Sequence, residues 1–296
     1  MNSHNAAVKA LPVPVSELGE GPVWDAQEHQ IIWVDIERGK IQSYHPATQQ
    51  YKSFSAGQMV GSVALASSGK VVGALQNGFA LIDMETNSVV MLGDPESDLQ
   101  DNRFNDGKCD AAGRFWAGTM CMKGDKNKGG LYVLDKKTVT QKLTGVSCSN
   151  GLAWGVDNTI LYFIDSPTRS VVAFEYDLSS GEIKNGRNII TIAEKDGFPD
   201  GMTIDAEGML WIALWGGGKV QRRNPFSSII LQEISLPVSL VTSCTFGGED
   251  LTDLYITTAT KGLTESERKA QPLAGCLFVV QNSGYQGIPA ALFNEG

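Results

Sequence analysis

A unit made of a polar residue, a strand, a turn and a second, more hydrophobic strand recurs six times in this 296-residue chain, and this repeat limits the possible folds more than any other feature. The clearest copies read GPVWD before IIWVDI, NGLAW before ILYFID, and DGMTID before MLWIAL. The units begin 41 to 50 residues apart, at Glu20, Gly61, Asn105, Asn150, Asp200 and Thr242. A period of about 40 to 50 residues with four strands per unit is typical of β-propeller blades.

The rest of the pattern also indicates an all-β chain. Short runs rich in Val, Ile, Tyr, Phe and Trp alternate with Gly, Asp, Asn and Pro, and the best helical candidate is the polar segment 264–270. A large sandwich or jelly roll lacks such even spacing, and closing the blades into a ring covers every apolar sheet face. We therefore predict one six-bladed β-propeller domain over residues 16–296, preceded by a tail or closing strand at residues 1–15.

Composition excludes several classes of partner. The formal net charge is −9 and no run of Lys or Arg occurs, whereas a nucleic-acid partner requires a basic face. No apolar run approaches the roughly 18 residues that span a bilayer, and the first 20 residues lack the features of a signal peptide. The five cysteines are scattered, without C-x-x-C spacing. We expect a reduced cytoplasmic protein without nucleic-acid or membrane partners, as a monomer or weak oligomer because a propeller closes its own edges.

Polar residues at the unit starts should meet around the propeller axis. They comprise two carboxylates, two amides and two hydroxyls: Glu20 and Asp200, Asn105 and Asn150, Ser62 and Ser243. Each one alone is better explained as a turn former, but like charges converging on one axis favour a cation between them. Oxygen ligands suit hard or borderline divalent ions. The sequence thus predicts a central metal-binding channel.

Elimination points to the same chemistry. The three histidines, His4, His29 and His45, lie away from the unit starts, so a Ser-His-Asp or Cys-His mechanism lacks its base. No G-x-S-x-G elbow occurs, and the run of three glycines at 216–218 lies between two strands rather than before a helix. What remains is carboxylate and metal chemistry.

Five motifs in order resemble those of the SMP-30/gluconolactonase/LRE family. They are GEGPVW from Gly19, NRFNDGK from Asn102, GRFWAGTM from Gly113, SNGL from Ser149 and PDGM from Pro199. The resemblance runs from about residue 16 to about residue 290. It implies a six-bladed propeller with one divalent cation, which could be Ca²⁺, Zn²⁺, Mn²⁺, Mg²⁺ or Fe²⁺. The positions that match its metal ligands are Glu20, Asn150 and Asp200.

The resemblance also implies substrate contacts and a reaction. Arg103 and Asn105 match positions that contact substrate, and Lys123 stands where animal members carry a carboxylate. The implied reaction is metal-dependent hydrolysis of a sugar lactone, with Asp200 as general base and Arg103 near the oxyanion. The alternatives are a non-catalytic calcium-binding regulator and a hydrolase of another ester class. Neither the sugar nor the metal follows from the sequence.

Overall fold

A computed structural model of the chain describes residues 7–296, so residues 1–6, part of the segment expected as a tail or closing strand, lie outside the described residues. The regular secondary structure of this part consists almost entirely of β-strands. In chain order they are β1 (Val8–Ala10); β2 (Gly19–Asp25), β3 (Gln30–Asp35), β4 (Lys40–His45) and β5 (Gln50–Ser55); β6 (Val60–Leu65), β7 (Val71–Leu75), β8 (Gly78–Asp83) and β9 (Ser88–Gly93); β10 (Asn102–Cys109), β11 (Phe115–Cys121), β12 (Gly129–Asp135) and β13 (Thr138–Val146); β14 (Ser149–Trp154), β15 (Ile160–Asp165), β16 (Ser170–Asp177) and β17 (Glu182–Thr191); β18 (Phe198–Ile204), β19 (Leu210–Trp215), β20 (Lys219–Arg223) and β21 (Ile230–Ser235); β22 (Val241–Gly247), β23 (Asp253–Thr258) and β24 (Phe278–Val280).

These strands form six antiparallel four-stranded sheets, which confirms the predicted six-bladed propeller. Blades 1 to 5 each use four consecutive strands, starting with β2. The sixth blade has the order β1-β24-β23-β22, so the outer strand comes from the N-terminal segment and Val8 pairs with Val280. The first strands of the blades contact one another in sequence from β2 through β22 and back to β2. They therefore form the inner ring around the channel.

The hydrophobic core is divided among the blade interfaces. Six clusters of buried side chains occur in the described residues, and each joins the facing surfaces of two adjacent blades. Between blades 3 and 4, for example, Trp116 contacts Trp154 and Tyr176 with ring centroids 5.9 Å apart. Because each sheet face is covered only by its neighbour, closing the ring buries the apolar strands that the sequence shows.

Aspartates in the turn after the inner strand fix that turn to the second strand of the same blade in blades 3 and 5. Asp110 in blade 3 accepts hydrogen bonds from the indole Nε1 of Trp116 (2.8 Å) and from Arg114 Nε (2.7 Å). Asp205 in blade 5 accepts the same kind of bond from Trp211 Nε1 at 2.9 Å. Both carboxylates are fully buried, and their partners satisfy them. The repeated Asp of the sequence therefore has a structural role, at the end of the inner strand away from the unit start.

The C-terminal segment crosses the same end of the channel. Gly287 forms a β-bridge with Asp205 of blade 5, whereas Phe293 forms one with Ala66 of blade 2. The segment then reaches blade 3, where the Asn294 N–H donates to the Gly113 carbonyl at 2.8 Å. Residues 288–292 span the distance between these anchors and line the channel. The end of the channel opposite the unit starts is thus partly covered.

Helix is confined to short segments. The one α-helix among the described residues, α1 (Glu265–Ala270), is capped by Thr264 with a reciprocal bond to Glu267, as the polar segment 264–270 predicted. Residues 216–218 form the turn between β19 and β20. Within residues 7–296 no helix is long and apolar enough to cross a membrane.

Candidate active site in the channel

A β-bulge interrupts every inner strand, and all of the predicted site residues except Lys123 lie in or beside these bulges. The register shifts fall between Glu20 and Val23, Val60 and Ser62, Phe104 and Gly107, Ser149 and Leu152, Pro199 and Met202, and Val241 and Ser243. A bulge adds a residue to one strand and redirects its side chain. The sequence repeat therefore places polar residues where each inner strand is re-aimed.

Glycines that follow the site residues let neighbouring inner strands come close. A Cβ on Gly201, next to Asp200, would lie 2.1 Å from the Ser243 hydroxyl oxygen of blade 6. A Cβ on Gly151, next to Asn150, would lie 2.6 Å from Met202 Cβ of blade 5. Only glycine fits such contacts. The Asn-Gly and Asp-Gly pairs are thus required by the packing of the ring as well as by its chemistry.

Arg103, Asn105 and Asn150 form one hydrogen-bonded group across blades 3 and 4. Arg103 Nη1 donates to Asn105 Oδ1 at 2.7 Å and to the Phe104 carbonyl at 2.9 Å. Asn105 Nδ2 donates to Asn150 Oδ1 at 3.0 Å and to the Ser149 carbonyl at 2.7 Å. All three side chains are buried. The group orients the amide of Asn150 and fixes one end of the Arg103 guanidinium.

Ser166 connects Asn150 to the strand that carries Asp200. Asn150 Nδ2 donates to Ser166 Oγ at 2.7 Å, and Ser166 Oγ donates to the Pro199 carbonyl at 2.5 Å. Ser166 could not be picked out from the sequence, because it belongs to no motif and follows the second strand of blade 4. The structure thus adds a hydroxyl that joins two predicted ligand positions.

Glu20 and Asp200 lie close enough to act on each other's charge. Burial raises the pKa of Glu20 well above its usual value, and the negative charges of Asp200 and Asp106 add to the rise. Burial and then Asp106 likewise raise the pKa of Asp200, against the opposing effect of Arg103. Two of the predicted ligands are 180 residues apart in the sequence but interact electrostatically in the channel.

Asp106 and Lys108 are additional site residues that sequence reasoning passed over, although both lie in the NRFNDGK motif. Burial raises the pKa of Asp106 to about 6, with Lys108 and Arg103 opposing the rise. Its Oδ1 is buried without a hydrogen-bond partner among the described residues. Lys108 reaches across the channel and donates from Nζ to the Met202 carbonyl at 2.8 Å. Their motif was the signal, but alternation along a strand could not show that both face the channel.

A large cavity lies below these residues, toward the C-terminal segment. Its volume is about 1280 Å³, and its walls include Asp106, Lys108, Met202, Ser243 and residues 288–292. Glu20, Arg103, Asn105, Asn150 and Asp200 do not line it. The Asp106 and Lys108 side chains thus separate the candidate site from the distal half of the channel.

The residues at the site fit a divalent cation. Two carboxylates and an amide, Glu20, Asp200 and Asn150, are buried together, and no described side chain donates a hydrogen bond to either carboxylate. No group of three or more His, Cys, Asp or Glu side chains in residues 7–296 is arranged as a metal site, so a cation held by Glu20 and Asp200 would also need neutral oxygen ligands, for which the amide of Asn150 is the candidate. Buried carboxylates without donors are costly unless a cation balances them.

Lys123 lies on the surface in the turn after β11. Its ammonium contacts Asp101 Oδ2 at 2.7 Å, and both side chains are more than half exposed. The same hairpin carries Met120, which pairs with Arg103 in the sheet. Lys123 is therefore near the site by strand register but is held by Asp101 rather than pointing at another site residue.

Comparison with known proteins identifies the family. The family described as SMP-30/Gluconolactonase/LRE-like region matches residues 18–260. A Bacillus subtilis (strain 168) protein named "Putative sugar lactone lactonase YvrE" is 40% identical over 277 residues, covering 93% of this chain and 95% of that protein. Regucalcin of Xenopus laevis is 39% identical, covering 94% and 95%. The chain therefore belongs to the SMP-30/gluconolactonase/LRE-like family, which confirms the resemblance and supports the expectation of a lactonase-type hydrolase.

Solved structures agree on the architecture. A luciferin-regenerating enzyme superposes with a TM-score of 0.91 at 30% identity, covering 97% of this chain and 99% of that one. A calcium-binding protein, regucalcin from Agrobacterium tumefaciens, superposes with a TM-score of 0.93 at 28% identity, covering 97% of both chains. A gluconolactonase from Xanthomonas campestris, at 18% identity and a TM-score of 0.75, supports the fold alone.

Proposed function

We propose that this protein hydrolyses a sugar lactone to the open-chain sugar acid, with one divalent cation held by Glu20, Asn150 and Asp200. One observation carries the proposal: the carboxylates of Glu20 and Asp200 are buried beside Asn150, close enough for the charge of Asp200 to raise the pKa of Glu20, and few hydrogen-bond donors reach either of them. Family membership supplies the substrate class. The small lactone is the proposed partner, and the cytoplasm the proposed location.

Asp200 is the proposed general base. One carboxylate oxygen would take the proton from an attacking water molecule while the other faces Glu20 and Asn150. When bound, the cation would supply Lewis-acid polarisation of the lactone carbonyl and would lower the pKa of water. The bulge and Gly201 hold Asp200 at the channel, so it is positioned before substrate arrives.

Arg103 is the proposed stabiliser of negative charge on the substrate. Its Nη1 is occupied by Phe104 and Asn105, which fixes the plane of the guanidinium. Nη2 takes no part in these bonds and is free to donate to the carbonyl oxygen as it gains charge. Because burial removes competing water, such a donor is stronger here than on the surface.

Asn105 has a more restricted role than the resemblance implied. Its two N–H groups are both used, toward Ser149 and Asn150, and its Oδ1 already accepts from Arg103. Contact with a sugar hydroxyl is therefore proposed through the remaining lone pair of Oδ1. Its main contribution is to align Arg103 and Asn150.

Lys123 is proposed as a substrate contact at the rim. The Asp101 pair is exposed and hence weakly held, because water screens both charges. Lys123 can therefore exchange Asp101 for a hydroxyl or carboxylate oxygen of the ligand. Since the family resemblance implies a carboxylate here in animal members, this residue is a candidate for the choice of sugar.

A calcium-binding regulator remains the second candidate, because one solved relative is described as a calcium-binding protein. A protein that only binds a cation has no need of a buried Arg103 aligned by Asn105, since a second positive charge opposes cation binding. The buried Arg103–Asn105 pair therefore favours catalysis.

The test is acid release from a panel of pentono- and hexonolactones and aryl esters, monitored with a pH indicator. We expect catalysed release from at least one sugar lactone, abolished by EDTA and restored by a divalent cation. Cation binding without turnover of any lactone would favour the regulator instead. Turnover of aryl esters without turnover of any sugar lactone would show that the protein is a hydrolase of another ester class.

A further inference from the structure

Lys108 makes a contact that crosses the channel from one blade to another. Its Nζ donates to the Met202 carbonyl at 2.8 Å, so β10 of blade 3 is tied to β18 of blade 5. The two residues are 94 positions apart in the sequence, and blade 4 lies between their strands in the ring. Burial lowers the pKa of Lys108, and its main charged partner is Asp106.

The bonded carbonyl closes the bulge that carries Asp200. The register of β18 with β19 is lost after Pro199 and regained at Met202, with Asp200 and Gly201 between them. Side chains from other blades hold the carbonyl on each side: Ser166 Oγ bonds that of Pro199, and Lys108 Nζ bonds that of Met202. The backbone on both sides of Asp200 is therefore fixed from outside its own sheet.

We infer that Lys108 is a positioning residue that sets the placement of Asp200 for cation and lactone by holding the Met202 carbonyl. This inference rests on the proposed function, because it takes Asp200 as ligand and base. Groups that orient ligands commonly control metal affinity by about 10- to 100-fold. An ordinary buried lysine would instead affect only folding.

The sign of the effect distinguishes this role from a purely electrostatic one. Lys108 brings a positive charge into the channel that also contains Glu20 and Asp200, and removing that charge alone would strengthen cation binding. Losing the bond to Met202 would weaken it, because the Asp200 bulge is released. The two effects oppose each other, so the direction of change identifies the larger one.

The experiment compares Lys108→Met with Lys108→Arg in the full chain. Methionine keeps the apolar stem and loses the donor, whereas arginine keeps a charged donor. The matched control is Lys142→Met, because Lys142 has a side chain only 9% exposed that pairs with Glu182 on the outer strands. MnCl₂ is titrated calorimetrically into EDTA-treated, desalted protein, and kcat and KM are measured on gluconolactone.

We expect Lys108→Met to weaken Mn²⁺ binding by about 10- to 100-fold and to lower kcat more than it raises KM. Lys108→Arg should recover part of the Mn²⁺ affinity and part of kcat, and Lys142→Met should change neither quantity. Unchanged or tighter Mn²⁺ binding in Lys108→Met would overturn the inference. If Lys108→Met does not fold, Lys108→Gln makes the same comparison. The glutamine side chain is one bond shorter than that of lysine, so its amide loses the contact with the Met202 carbonyl.

The Mn²⁺ titration separates this inference from the proposed function. A parent protein that binds Mn²⁺ but hydrolyses no lactone would contradict the proposed function, and the affinities of the variants would still test Lys108. A parent that hydrolyses lactone with an unaffected Lys108→Met variant would contradict only the role of Lys108.

Discussion

Asn105 of blade 3 donates its side-chain amide to Oδ1 of Asn150 in blade 4, at 3.0 Å. A position that the family resemblance assigns to substrate is thus bonded directly to one that it assigns to the metal. On the other side of Asn150, Nδ2 is held by Ser166. The amide is held at both ends, so its orientation is set before any ligand binds.

The first prediction concerns Asn105→Asp. An aspartate cannot donate to Asn150 Oδ1 or to the Ser149 carbonyl, and its charge repels both oxygens, so Asn150 should turn away. We expect cation affinity to fall by about 10- to 100-fold despite the added negative charge. Calorimetric titration with Mn²⁺ measures this, and tighter binding would show that charge outweighs orientation.

The second prediction concerns Ser166→Ala. This change removes the donor to the Pro199 carbonyl and the stronger acceptor of Asn150 Nδ2, which keeps only the weak acceptor Cys148 Sγ at 3.7 Å. We expect a loss of about 1–3 kcal/mol in the free energy of unfolding together with weaker cation binding. Thermal melting and metal titration report the two effects separately.

Ser179→Ala is the matched control for Ser166→Ala. Ser179 is an exposed turn serine whose hydroxyl bonds Asp177 at 2.7 Å, far from the channel. The Ser179→Ala variant should therefore bind the cation with unchanged affinity. Equal losses of affinity in both variants would remove the role assigned to Ser166.

The third prediction tests the close approach of the inner strands. Gly201→Ala places a Cβ 2.1 Å from Ser243 Oγ, so blades 5 and 6 must separate or Ser243 must move. Overpacking of this kind lowers the free energy of unfolding by about 1–3 kcal/mol. Each kcal/mol lowers the melting temperature by roughly 2–4 °C in a large domain. Gly155→Ala is the control, because its nearest contact is an Asp157 side-chain oxygen at 3.2 Å. Equal melting temperatures for the two variants would contradict this account.

The fourth prediction separates function from stability at Asp200. Asp200→Asn removes the proposed base and one member of a repelling cluster. We expect kcat on lactone to fall by about 100-fold or more, while the metal-free protein melts at the same or a higher temperature than the parent. Lactonase activity near that of the parent would exclude Asp200 as the base.

The repeat predicted the fold because blade packing imposes its period on the whole chain. Six units gave six blades, and the residues picked out at the unit starts all lie on the inner strands. The order of the last sheet was less visible, because β1 and β24 are only three residues long. A short outer strand carries little pattern, and the expectation of a closing strand could not be given a register.

A motif was necessary but not sufficient for predicting the candidate site. Glu20, Asn150 and Asp200 begin repeats, whereas Ser166 belongs to no motif. Lys108 lies inside NRFNDGK but, like Ser166, acts through a contact that links different blades. Such contacts depend on the curvature of the ring, which sets which strands face one another. The six bulges are similarly hidden, since an added residue leaves no mark other than an Asn-Gly or Asp-Gly pair.

The most direct test of the central claim is proton release from gluconolactone by protein stripped with EDTA and then titrated with a divalent cation. We expect the stripped protein to be inactive and its activity to rise linearly until one equivalent of cation is bound. Asp200→Asn should stay about 100-fold or more below the parent activity at every cation concentration. Full activity of the stripped protein, or no activity on any sugar lactone at saturating cation, would contradict the claim.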